Sequence, residues 1–217
     1  MATPTDPYAL LHFNMIHAHQ TYKRGYDIIL SHLKNPPLYD LQNFLGYCEA
    51  WAVSIEVHHD SEEKVVFPFL NQKMDFSGEI EQHKAIHDTL DKILATIHDA
   101  RTDPSKFDAT KMNALMLEFK DPLFSHLDEE VEHVHASKLK EANFAEKDVL
   151  AMIAGLEKHA KGTGDPFMIV PFMRSHTSPE HKDVWPSMPW ILRKVVIPYV
   201  LAKRYSGYWK YSPYAMS

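Results

Sequence analysis

Histidine and glutamate residues recur four positions apart at three places in the sequence. The three pairs are His59 with Glu63, His83 with His87, and His126 with Glu130. Residues four apart lie on the same face of an α-helix, so both members of a pair can reach one point inside a helical bundle. A buried imidazole or carboxylate is costly unless it is paired or binds a metal. The pairs therefore predict a metal centre, and their nitrogen and oxygen ligands suit iron, manganese or zinc.

The distribution of the pairs is more informative than their spacing. The chain has 15 histidines, and further matches such as His58 with Glu62 occur. The signal is that one pair falls on each of three successive predicted helices, among apolar residues with helical spacing. Six ligands exceed what one tetrahedral metal takes, so we expect two metals with Glu63 and Glu130 bridging them. His58 and Glu62 are rotated by about 100° from the first pair, and we predict that they support the ligands from behind or face solvent.

The first predicted helix should supply a further ligand. His19 is the preferred candidate because it lies next to the apolar stripe of this helix, while periodicity leaves His12 and His17 open. Tyr22 and Tyr47 are weaker candidates for a redox or proton-donating role beside the metals. The alternative for both tyrosines is an ordinary buried ring with a hydrogen-bonded hydroxyl.

Apolar periodicity predicts the elements that position these side chains. The predicted helices span about residues 8–33, 38–73, 79–100, 110–140 and 146–160. Short connections make the first four antiparallel neighbours, so the predicted fold is all-α, an up-down-up-down four-helix bundle with a fifth short helix. We assign residues 1–160 to the bundle. Residues 161–217, rich in proline and aromatic residues, are expected to form an ordered extension packed on the same domain.

The composition excludes several classes of protein. A net charge of −6 gives no reason to expect a nucleic-acid partner. The single cysteine, Cys48, excludes an internal disulfide and fits a reducing compartment. The N-terminus lacks the pattern of a secretory signal, so we predict a cytoplasmic location. The apolar run at residues 188–202 is too short and too interrupted to span a bilayer. It is predicted to pack on the bundle, with a membrane-surface helix as the alternative.

Taken together, these motifs resemble the hemerythrin-like family, and within it the fungal branch. The resemblance covers residues 8–140 and is carried by His19 with Arg24-Gly25 after it, by His58-His59-Asp-Ser-Glu62-Glu63 before Phe67-Pro68, and by the third and fourth helix pairs. It implies a non-heme di-iron core with the ligands His19, His59, Glu63, His83, His87, His126 and Glu130. Invertebrate oxygen carriers of this family have His-xxxx-Asp where this chain has His126-xxx-Glu130. The departure puts reversible oxygen carriage in question and favours the sensor, repair and uncharacterised members.

The resemblance and the extension together lead to a functional prediction. A bundle needs only about 120 residues, and we interpret the aromatic extension as a roof that shapes an apolar pocket. The prediction is a non-heme di-iron enzyme that binds and activates dioxygen to oxidise a small apolar substrate, with an external electron donor. The first alternative is non-catalytic binding of dioxygen, nitric oxide or iron for storage, sensing or repair. The second is a structural bundle that makes no use of a metal.

Overall fold

The computed structural model describes residues 2–217; Met1, the first residue of the predicted bundle range, lies outside them. The described residues are helical, without strands. The α-helices are α1 Pro7–Leu33, α2 Leu41–Ser61, α3 Phe67–Leu70, α4 Ser77–Thr102, α5 Ala109–His133, α6 Ala136–Glu141, α7 Glu146–Gly162 and α8 Pro166–His176. The remaining helical segments are the π-helices Glu62–Val66 and Leu192–Leu201 and the 3₁₀-helices Leu38–Asp40, Pro104–Lys106 and Tyr208–Tyr211.

Helices α1, α2, α4 and α5 form the predicted bundle. Each packs against two neighbours, in the cyclic order α1, α2, α4, α5 and back to α1. The Asp6 carboxylate caps α1 by accepting hydrogen bonds from the backbone N–H groups of Tyr8 and Ala9. Asp108 caps α5 in the same way. The all-helical bundle predicted from periodicity is thus confirmed.

The predicted second helix is not continuous. It changes to a π-helix at Glu62–Val66, and Phe67 donates its N–H to the carbonyl of Glu62, five residues back. Pro68 explains the change, because it has no N–H and its ring would clash with the carbonyl of Lys64 in an α-helix. The predicted fourth helix also divides, ending at His133 before α6 begins.

The hydrophobic core consists of two clusters. The larger one surrounds Trp51, and Phe172, Trp185 and Tyr208 from the C-terminal extension belong to it. The smaller one surrounds Phe67 and joins the far end of the bundle to α6 and α7. Along each bundle helix, the residues that could hold a metal lie between these two apolar clusters.

Two close approaches connect the extension to the bundle. A Cβ on Gly25 in α1 would lie 2.4 Å from Cδ1 of Trp51 and 3.0 Å from Phe172. A Cβ on Gly46 in α2 would lie 2.1 Å from the ring of Tyr208. Both glycines are therefore required for the helix surfaces to meet these rings.

Two observations concern the predicted cellular environment. Among residues 2–217, no helix combines the length and apolar character needed to cross a membrane. Cys48 is completely buried in α2, and burial raises the pKa of its thiol well above the usual value.

Candidate metal centre

Two groups of side chains meet in the polar layer between the clusters. One group consists of His59, His83 and His126, and the other of His19, His58, Glu62 and Glu130. Within each group, one ligand atom from every residue lies within 4.8 Å of the others. All seven side chains are buried except that of His58, which is 13% exposed. The four bundle helices, with the π-helix that continues α2, thus bring seven possible ligands to one level.

The two carboxylates lie between the groups. Glu62 has one oxygen 2.9 Å from His58 Nε2 and the other 3.8 Å from His83 Nε2. One oxygen of Glu130 lies 3.4 Å from His19 Nε2 and 3.7 Å from His126 Nε2. Each carboxylate therefore approaches an imidazole from both groups, which is the arrangement required to bridge two cations.

In three of the imidazoles, a hydrogen bond at Nδ1 fixes the tautomer and therefore the protonation of Nε2, the nitrogen that faces the site. The Nδ1–H of His19 donates to the backbone carbonyl of Leu127 at 2.7 Å. The Nδ1–H of His83 donates to Glu63 at 2.9 Å, and that of His126 donates to the side-chain carbonyl of Gln82 at 3.0 Å. In a neutral imidazole the other nitrogen then carries a lone pair.

The lone pairs of His83 and His126 face one another, because their Nε2 atoms are 3.1 Å apart. Two lone pairs at that distance repel, whereas a cation between them would bind both. The contact between His83 and His126 is therefore an electronic reason to expect a metal ion.

Several polar atoms of the layer have no other partner. His59 Nε2 and all four oxygens of Glu62 and Glu130 are buried without a hydrogen bond of normal geometry among the described residues. Buried polar atoms normally have a hydrogen-bond partner, because a buried donor or acceptor without a hydrogen bond costs free energy of folding. The residues present thus fit a pair of metal ions that would satisfy these atoms.

Burial also dominates the electrostatics of the layer. It lowers the pKa values of His58, His83 and His126 to about 4, so these imidazoles are neutral. Burial, together with the charge of Glu130, raises the pKa of Glu62. Without a cation the layer therefore favours one carboxylate charge over two.

Comparison with known proteins decides the family. The family model described as the hemerythrin HHE cation binding domain matches residues 12–136, more than half of the chain. This chain belongs to the hemerythrin HHE cation-binding family. A curated relative is the dimeric xanthone biosynthesis cluster protein R11 of Cryptosporiopsis sp. (strain 8999), which is 26% identical over 213 residues. The match covers 92% of this chain and 77% of the relative. No solved structure matches.

In this hemerythrin domain, the predicted ligands and the residues that meet at the site differ mainly at the end of α2 and in the π-helix that follows it. Glu63 was predicted as a bridging ligand, but its side chain is 43% exposed and lies behind His83 as a hydrogen-bond acceptor. Glu62 and His58, predicted to lie behind the ligands, are instead in the second group. The two neighbouring His-xxx-Glu pairs have the same spacing, so spacing alone does not separate them.

Other predicted residues lie as follows. His19, His59, His83, His126 and Glu130 are all in the two groups. His87 is outside both, and its Nε2 lies 3.3 Å from Nδ1 of His59. His12 meets the ring of His135 edge to face, and His17 packs against Phe13 and His181, so neither replaces His19.

The two tyrosines have different environments. The ring of Tyr22 is 5.1 Å from that of His58, and burial, with the charges of Glu62 and Glu130, raises its pKa. Tyr47 is remote from the groups and donates its hydroxyl hydrogen to His176 Nε2 at 2.6 Å. Only Tyr22 is placed beside the candidate centre.

Residues of the extension line two surface depressions, and neither depression includes the candidate ligands. Two surface depressions have volumes of about 640 and 370 Å³. One is lined by His32, Pro36 and Tyr211, and the other by Arg101 and Tyr208. None of the seven possible ligands lines either depression.

Proposed function

We propose that this chain holds two iron ions in a dinuclear centre and uses them to bind and activate dioxygen. In this proposal His19 and His58 would hold one ion, His59, His83 and His126 would hold the other, and Glu62 and Glu130 would serve both. The observation that carries the proposal is that each of these two buried carboxylates approaches imidazoles of both groups. Iron is proposed over manganese and zinc on the family resemblance, since the ligand types suit all three.

Iron held in such a site would supply the electrons for the reduction of dioxygen. The protein residues have other tasks. The acceptors behind His19, His83 and His126 fix each ring so that its Nε2 lone pair points into the site. The apolar clusters on either side exclude water from the polar layer. Tyr22 is the phenol beside the second group, and its raised pKa keeps it protonated.

The reaction proposed is oxidation of a small apolar or aromatic molecule. This part of the proposal is supported by the name of the relative, which assigns that protein to a xanthone biosynthesis cluster. Xanthones are aromatic molecules. An external electron donor would be needed to return the metals to the ferrous state after each turnover.

Non-catalytic binding of dioxygen, nitric oxide or iron is the second candidate. The enclosure of the layer favours it, because the two surface depressions lie away from the seven ligands. A buried site whose ligands line neither depression admits a diatomic molecule more readily than an organic substrate.

Anaerobic reconstitution with ferrous iron tests both candidates. We expect about two irons per chain by elemental analysis and irreversible oxygen uptake on exposure to air, faster when an aromatic substrate is present. Oxygen uptake that reverses under vacuum, without turnover, would establish the binding function instead. A protein that retains no iron after reconstitution would contradict the dinuclear centre itself.

A further inference from the structure

The π-helix Leu192–Leu201 and its flanks expose an apolar stripe. The stripe consists of Trp190, Ile191, Val195, Tyr199 and Val200, each at least 41% exposed. Their spacings of four or five residues place them on one face, because hydrogen bonds in a π-helix join residues five apart. Ile197, on the opposite face, is buried against the rest of the protein. A contiguous exposed apolar surface of this kind marks an interaction site.

The same part of the chain carries only positive charge. Residues 184–217 contain five lysines and arginines and no aspartate or glutamate. The whole chain has 23 basic and 29 acidic residues, so residues 1–183 contain 18 basic and 29 acidic ones, a net charge of −11 against +5. Arg204 lies 4.0 Å from Asp165, whereas Lys194 and Lys203 make no ion pair within residues 2–217.

Further cations lie beneath the π-helix. Arg174 is completely buried, and its Nη2 has no hydrogen-bond partner among the described residues. Lys182 is buried and donates to a backbone carbonyl. Burial and nearby positive charges lower its pKa to about 8. Arg193 pairs with the carboxylate of Asp183, whereas Arg174 and Lys182 have no carboxylate partner among the described residues.

Arg193, Arg204 and Lys210 each have a carboxylate partner. Lys194 and Lys203 are therefore the basic side chains of residues 184–217 whose charge no carboxylate in the described residues neutralises.

We propose that this surface binds an anionic lipid bilayer. The apolar stripe would enter the boundary between headgroups and acyl chains, where tryptophan and tyrosine are well accommodated. Lys194, Lys203 and Arg204 would meet the lipid phosphates. A second copy of this chain is a poorer occupant, because a symmetric contact would bring this positive surface against itself. The inference is independent of the proposed chemistry at the metal centre.

Vesicle co-sedimentation of the full-length protein tests the proposal. The vesicles are phosphatidylcholine alone and phosphatidylcholine with phosphatidylserine. We expect binding at least about tenfold stronger to the anionic vesicles, weakening as salt is added. Neutralising two lysines in K194Q/K203Q should weaken binding by about 25-fold, since each basic residue near the surface contributes about fivefold. The apolar variant I191S/V195S should also weaken it.

Matched controls separate this surface from general effects. Lys92 and Lys111 are exposed on α4 and α5, so K92Q/K111Q removes the same charge elsewhere. Leu117, which is 53% exposed on α5, is the control for the apolar substitutions. Neither control should change vesicle binding. Acrylamide quenching gives a local readout, because Trp190 should become protected on anionic vesicles and the protection should disappear in W190F.

Three outcomes would overturn the proposal. One is the absence of binding to anionic vesicles at low salt. Another is equal binding to both vesicle types, or equal loss of binding in the controls. The third is concentration-dependent dimerisation of the protein that I191S/V195S abolishes, without vesicle binding, which would make the stripe an interface between copies.

Discussion

At the scale of single residues, three imidazoles of the candidate centre carry their hydrogen on the outer nitrogen, which leaves the inner nitrogen free to bind a cation. His19, His83 and His126 each donate the Nδ1 hydrogen to an acceptor behind the ring. The acceptor of His126, Gln82, in turn donates to Glu129 at 2.7 Å on the surface. These contacts fix both ring orientation and tautomer, so the site is prepared for a cation before one arrives.

Neighbouring glutamates should respond differently to the same substitution. Glu62→Gln removes a buried carboxylate that approaches both groups, so the metal content is expected to fall below two per chain. Glu63→Gln leaves the seven ligands intact and should retain two metals, with an affinity lower by about 10- to 100-fold because the acceptor behind His83 loses its negative charge. Elemental analysis and competition with a chelator measure the two effects. Loss of both metals in Glu63→Gln, with retention in Glu62→Gln, would reverse the assignment.

His176 should contribute to the acid sensitivity of the protein. It is completely buried between the carbonyl of Phe172 and the hydroxyl of Tyr47, and burial lowers its pKa to about 3. An unfolded histidine titrates near 6.5, so between these two pKa values the unfolded state binds more protons. Stability therefore decreases as the pH is lowered from 6.5 towards 3. At pH 5 this contribution amounts to about 2 kcal/mol.

Denaturant titrations at pH 7 and pH 5 test this contribution. The loss of stability between the two pH values should be smaller by about 2 kcal/mol in His176→Gln than in the wild type. His98→Gln, at an exposed position, should behave as the wild type does. An unchanged loss in His176→Gln would show that other groups cause the acid sensitivity.

At the scale of elements, the π-helix Glu62–Val66 determines which residues face the centre. Its backbone hydrogen bonds join residues five apart, and in this geometry Glu62 and Val66 both face the interior and are almost completely buried. The Pro68 that accounts for this geometry is visible in the sequence. A proline near the end of a helix predicts a boundary or kink, but not the length of the altered turn, so the choice between Glu62 and Glu63 required coordinates.

Sequence patterns were more informative elsewhere. The apolar stripe and the prolines at positions 36 and 37 predicted α1 to within one residue at each end. The sequence pairs beginning at His83 and His126 correctly indicated that these two imidazoles are buried, but His87, the second member of the first pair, lies outside both groups. The environment of His176 could not be predicted, because its partners Tyr47 and Phe172 belong to elements far from each other in sequence.

The contact between α2 and the extension should be sensitive to one added methyl group. Gly46→Ala places a Cβ within van der Waals overlap of the Tyr208 ring and should displace the 3₁₀-helix Tyr208–Tyr211. Overpacking of this kind costs about 1–3 kcal/mol. Hydrogen exchange should therefore accelerate in residues 202–217.

A second glycine supplies the control. Gly78→Ala in α4 meets no atom within 4 Å, so exchange in residues 202–217 should remain as in the wild type. Equal exchange in the two variants would show that Tyr208 does not hold the extension in place.

At the scale of the whole molecule, bundle and extension share one hydrophobic core. Phe172 of α8 is completely buried in the same cluster as Trp51 of α2. We therefore propose that residues 161–217 are not a separate folding unit. They unfold with the bundle in one transition.

Truncation of Phe172 tests this proposal. Phe172→Ala should lower the free energy of unfolding of the entire protein by about 3–5 kcal/mol. Helical circular dichroism and tryptophan fluorescence should still share one midpoint. Separate midpoints for the two signals would show that the extension and the bundle are independent.

The burial of Cys48 gives the protein an internal reporter of opening. The thiol is the chain's single one, and it is completely shielded in the helix that also carries Trp51 and His58. A thiol-specific reagent can modify it only when that helix separates from its neighbours. The rate at which the reagent labels the wild-type protein therefore measures how often the bundle interior becomes exposed. The measurement can be made with and without metal and requires no engineered cysteine.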